Sequence, residues 1–120
     1  MSNIQNELDR LNFEDWIFII FIAVAALNIY GDNLLKKYIK ENNKYYENKA
    51  NEIFIITIFI TILIYIYFLK RNYNFYVSAT PERKNMLSVK VLSSIFLLIG
   101  AILLLYFQIK DSNFLSAPNI

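Results

Sequence analysis

The 120 residues contain no cysteine and no histidine. That absence excludes disulfides, thiolate nucleophiles, zinc centres built from the usual ligands, imidazole acid–base catalysis and cysteine-linked lipid anchors. Glycine is confined to Gly31 and Gly100, too few for a phosphate-cradling loop, and no nucleotide or metal motif occurs. Two prolines beside a hydrophobic share of 57% rule out a disordered or collagen-like chain. Basic blocks are missing as well. The formal charge is +2 and the lysines alternate with glutamates and asparagines, so nucleic-acid binding has no footprint. Charge is also absent from the middle of the long apolar runs, which argues against a proton relay, a charge-selective pore or an intramembrane catalytic dyad. No catalytic, cofactor-binding or metal-binding residue is therefore expected.

What the chain does have is apolar length. Ile53 to Leu69 reads IFIITIFITILIYIYFL, interrupted only by Thr57, Thr61, Tyr65 and Tyr67. At about 1.5 Å per residue the run covers roughly 25 Å as a helix, close to the hydrocarbon thickness of a bilayer. Its Ile, Leu and Phe side chains together favour insertion by about 4 to 8 kcal/mol. A buried strand is the alternative for so isoleucine-rich a segment, but strands run to about 5 or 6 residues before a turn.

Before this run, Ile4, Leu8 and Leu11 share a face, as in a short amphipathic helix or a polar leader. Asn12 is placed to cap a helix, with Glu14 and Asp15 in its first turn and Leu11 and Trp16 at staple positions. The apolar stretch from Ile17 to Tyr30 follows, short and interrupted by Asn28. Ala23, Val24 and Ala25 resemble a signal-cleavage pattern, but the acidic leader is wrong for a signal peptide, and the segment is expected to stay. Gly31 is placed to end this helix in a left-handed cap, and Asp32 to start another. In the next connection Leu34, Leu35, Tyr38 and Ile39 lie opposite Lys36, Lys37, Lys40 and Glu41, a pattern for an interfacial helix or a solvated linker. After the central run, Thr80 as cap, Pro81 at the first helical position and Glu82 in the first turn predict a helix beginning well before the third apolar run, Val91 to Phe107. The tail from Asp111 carries no anchor signal and reads as loose.

These observations predict an all-α integral membrane protein, one domain over residues 1–120, with three transmembrane helices at approximately 13–31, 52–71 and 89–109. The first connection is expected to be helical and the third span helix-extended. Asn28, Thr57, Thr61, Ser93, Ser94, Gly100 and Ala101 are the candidates for close helix packing, since small and hydroxyl side chains let helices approach in lipid. Trp16, Tyr30, Tyr65, Tyr67, Lys70, Arg71 and Tyr106 are the candidate anchors at the two water interfaces. Three crossings put Arg10, Lys70, Arg71, Arg83, Lys84 and Lys90 on one side, and Lys36, Lys37, Lys40, Lys44, Lys49 and Lys110 on the other, an even split of the 12 basic residues. Strong flanks on the second and third runs favour an inside N-terminus. The expected partners are the lipid bilayer and either a second copy or another membrane protein, with no nucleic acid, in a membrane that is preferentially the cell membrane. The expected role is helix–helix association as an accessory or regulatory subunit or homo-oligomer, without catalysis. The alternative is an oligomeric pore or small carrier, similar in size and span number to three-span phage lysis proteins, a likeness of architecture alone.

Overall fold

The computed structural model describes residues 2–111 and Pro118. Three helices make up nearly all of it: α1 from Ser2 to Glu41, α2 from Lys44 to Val77 and α3 from Pro81 to Lys110. Each is long and apolar enough to cross a membrane. The tail read as loose lies, apart from Asp111 and Pro118, outside the described residues.

The α1–α2 turn is made by two asparagines. Asn42 adopts φ 53°, its N–H donating to the Tyr38 carbonyl at 2.7 Å. Asparagine enters this left-handed region more readily than most residues because its short amide bonds locally. Asn43 is extended, and its side chain accepts a hydrogen bond from the Tyr45 N–H at 3.0 Å, capping α2. The α2–α3 turn follows the sequence expectation: Thr80 is the N-cap residue, Pro81 opens the helix and Glu82 lies in its first turn. The Thr80 side chain makes no capping bond, but its carbonyl accepts from the Arg83 and Lys84 N–H groups.

Several expected boundaries are corrected. Asn12 caps nothing, because α1 already runs from Ser2, and Glu14 and Asp15 therefore lie well inside it. Leu11 and Trp16 are both exposed and form no staple. Gly31 does not end the helix; it has no positive φ, and α1 passes through it and Asp32 for a further turn or more. The connection from Asn33 onward is no separate interfacial helix, since Leu34 and Leu35 are buried against Ala50, Ile53 and Phe54 of α2.

The helices lie side by side, α2 in the centre, with α1 and α3 each packed on it antiparallel and out of backbone contact with one another. The extents of 60 × 25 × 15 Å describe a layer one helix thick, as long as α1 itself. Two buried clusters hold it together. Leu34, Leu35, Ala50, Ile53 and Phe54 join α1 to α2, and Ile58, Ile62 and Ala101 join α2 to α3. A single layer cannot enclose its apolar side chains: Ile22 is 70% exposed, Phe96 63% and Leu103 62%. Only 11% of the most apolar stretch of α3 is covered by the rest of the chain.

Candidate functional site

Polar side chains cross the layer at three levels, and the largest set joins all three helices. At its centre is Glu14 of α1, 4% exposed. Arg71 of α2 donates from Nη1 to Glu14 Oε1 at 3.0 Å, Arg10 from Nη1 to Oε2 at 3.1 Å, and the Tyr67 hydroxyl to Oε2 at 3.1 Å. A carboxylate taken out of water is costly unless paired and hydrogen-bonded, and this one is both. The guanidinium of Arg71 also donates through Nε and Nη2 to Asn72 Oδ1, and Asn72 Nδ2 donates to Ser94 Oγ of α3 at 2.6 Å. The Ser94 hydroxyl in turn donates a hydrogen bond to the Lys90 carbonyl at 3.1 Å. The chain of bonds Arg10, Glu14, Arg71, Asn72, Ser94 thus runs from one edge of the layer to the other.

Aromatic rings enclose it. The Arg71 guanidinium lies 4.7 Å from the Phe68 ring and 5.6 Å from Phe75, whose ring also carries Arg10 at 5.0 Å. Phe13 packs edge-on to Tyr67 with centroids 5.1 Å apart. A second arm of Arg10 reaches Glu7 at 2.8 Å, and this bond, with that to Glu14, raises the pKa of Arg10 against the lowering effect of burial. The Arg10 Nε is buried without a hydrogen-bond partner.

The middle level joins α1 to α2. The Thr57 hydroxyl lies 3.0 Å from Asn28 Oδ1 and 2.9 Å from the Phe54 carbonyl, one proton serving both acceptors, and Thr61 bonds to the Thr57 carbonyl. The third level lies near the far ends of the helices. There Gln108 of α3, 2% exposed, donates from Nε2 to Asn51 Oδ1 of α2. Nearby, Lys44 bonds to Glu47 at 2.6 Å, which raises the lysine pKa.

Set against the sequence candidates, Asn28, Thr57, Thr61, Ser94 and Ala101 all lie at helix contacts. Ser93 and Gly100 do not. Ser93 is exposed and bonds only to the Val89 carbonyl of its own helix, and a Cβ at Gly100 would meet nothing within 4 Å. The face of α3 that packs is Ser94, Ala101 and Gln108, spaced by sevens, which takes in two of the four candidates on this helix. Among the anchors, Trp16, Tyr30, Lys70 and Tyr106 are exposed, whereas Tyr65 is half-buried and Tyr67 and Arg71 are turned inward to Glu14. Glu14, Asn51, Asn72 and Gln108 were not among the candidates. The seven-residue spacing of Ser94, Ala101 and Gln108 was the available signal for the last; for Glu14 the local signal was Arg10 four residues before it, while Arg71 lies 57 residues away.

The acid at the centre holds three donors and is no free base. The arrangement is a clamp fixing the helices in register, built where the apolar run of α2 gives way to Lys70 and Arg71. Searches of protein-family models, curated proteins and solved structures return no match to the chain.

Proposed function

We propose that this chain is a multi-pass membrane protein of the cell membrane, N-terminus inside, that acts by helix–helix association as an accessory or regulatory subunit or a homo-oligomer, without catalysis. The observation that carries the reading is the one-helix-thick layer, whose apolar side chains point outward along most of α1 and α3. In water that much exposed Ile, Leu and Phe is untenable. In a bilayer the lipid-facing surface is satisfied, and the edges of the layer remain open to another helix. The internal polar groups are spent on joining α1, α2 and α3, which is the bond pattern of a scaffold.

The pore reading has less support. It needs Thr57, Thr61, Ser93 and Ser94 to face one aqueous path, yet Thr57, Thr61 and Ser94 are buried and bonded between or along the helices, and the Ser93 hydroxyl is spent on its own helix. The test is fractionation followed by native mass measurement of the detergent-extracted chain. The expected result is retention in the membrane pellet after an alkaline wash, with a mass above that of one chain or a co-purifying membrane protein. A chain that stays in the supernatant, or that is only ever a monomer without companion, overturns the proposal.

A further inference from the structure

We propose that the groove over α2 between α1 and α3 binds an anionic phospholipid, its phosphate at Lys90 and Arg71 and one acyl chain along the floor. The groove exists because α1 and α3 pack on α2 without meeting. It consists of two adjoining hollows of about 270 and 250 Å³ that share Phe21, Tyr65 and Leu97. Both hollows are mainly apolar; the first has Arg71, Asn72, Lys90, Ser93 and Ser94 among its lining residues, and the second has Thr61 and reaches Gly100 and Leu104.

Cationic side chains in one of the two hollows of an apolar groove match the two parts of an anionic phospholipid. From Lys90 to Gly100 the helix rises about 15 Å, roughly the depth of one leaflet, and Lys90 stands directly before the apolar run that begins at Val91. Its ammonium is exposed and has no hydrogen-bond or ion-pair partner among the described residues. Arg71 is held by Glu14 and Asn72, yet each of its terminal nitrogens keeps a second N–H to donate. The acids bonded within this set, Glu14 and Glu7, are balanced by Arg71 and Arg10, which leaves the Lys90 charge uncompensated at headgroup height. An anionic phosphate complements it. A hydrophobic helix from another chain would fit the floor but offers nothing to that charge.

The inference rests on the membrane reading above, and the two fail separately. A chain found in the supernatant defeats the membrane reading, whereas one extracted from membranes without lipid preference defeats only this one. The test titrates the purified full chain in mild detergent with phosphatidylglycerol or phosphatidylcholine of matched acyl chains, and counts bound lipid by native mass spectrometry. Phosphatidylglycerol is expected to bind about fivefold tighter, the ratio one lysine supplies near a membrane surface. Lys90→Gln brings the ratio to about one. Gly100→Leu fills the floor and lowers occupancy by both lipids at least fivefold; a Cβ there meets nothing within 4 Å, and circular dichroism checks that the fold is kept. Equal binding of the two lipids by the unmodified chain overturns the proposal, as does unchanged occupancy in Gly100→Leu. So does a dimer that Gly100→Leu converts to monomer without loss of lipid, since a second copy would then be the occupant.

Discussion

The ring of Phe54 lies against the Cα of Gly31, so close that a Cβ on that glycine would overlap the ring edge, with Phe54 Cζ at 2.9 Å. Phe54 is 1% exposed and has no room to retreat. The glycine is therefore required by the approach of two helices and not by its own backbone, which is ordinary helix. Gly31→Ala is expected to cost about 1 to 3 kcal/mol through overpacking. Gly100→Ala, with open space around it, is expected to leave the fold unchanged or slightly more stable, since alanine is the better helix former. Unfolding of the two variants in mixed detergent micelles, followed by circular dichroism, measures the difference; equal stabilities would mean that α1 and α2 do not pack in this register.

Glu14 and Asp15 are neighbours in the chain with opposite surroundings. Removing the carboxylate in Glu14→Ala leaves Arg71, whose side chain is 15% exposed, without its counter-ion, and is expected to cost about 3 kcal/mol. Asp15 is exposed, and Asp15→Ala is expected to change stability by less than about 0.5 kcal/mol. A double-mutant cycle between Glu14 and Arg71 separates the pair from its setting, and a coupling below about 0.5 kcal/mol would deny the contact.

What the sequence made legible was whatever depends on neighbours along the chain. Thr80, Pro81 and Glu82 form a start signal within one turn, and α3 begins there. The length of the apolar run in α2 identified a helix without reference to anything else. The errors arose where a residue type has two uses. Gly31 suits a left-handed cap and also a close helix approach, and only the position of Phe54, 23 residues later by sequence, decides between them. Glu14 suits a first turn and also an ion pair, and the choice belongs to Arg71. Asn42 and Asn43, which do make the turn, stood inside a polar segment where nothing distinguished them from Asn33 or Asn48.

Thr57 and Ser93 are both hydroxyls within apolar runs, and the structure separates them. Thr57 is 0% exposed and bridges to Asn28, so Thr57→Val, of nearly the same shape, is expected to cost about 0.6 to 1.7 kcal/mol of helix packing. Ser93→Ala removes only a bond to its own helix and is expected to be neutral within about 0.5 kcal/mol. Matching losses at both sites would show that the hydroxyls act by a route other than the α1–α2 contact.

The proposed crossing of the bilayer by all three helices would fix which ends lie together. The antiparallel register sets the start of α1 beside the end of α2, as the Glu14 to Arg71 pair requires, and sets Asn43 at the opposite end of the layer with Asp111. Asn6→Cys and Ser78→Cys are therefore expected to label from one side, and Asn43→Cys and Asp111→Cys from the other, in a chain whose lack of native cysteine makes each signal unambiguous. The even split of basic residues leaves the flanks to decide orientation. Lys70, Arg83, Lys84 and Lys90 cluster around two strongly apolar runs, and a basic groove mouth suits the anionic cytoplasmic leaflet. A membrane-impermeant maleimide applied to intact cells should thus modify Asn43→Cys and Asp111→Cys and spare Asn6→Cys and Ser78→Cys until the cells are opened. Labelling of Asn6→Cys and Asn43→Cys from the same side would remove α1 from the bilayer, and with it the burial that makes the Glu14 clamp worthwhile.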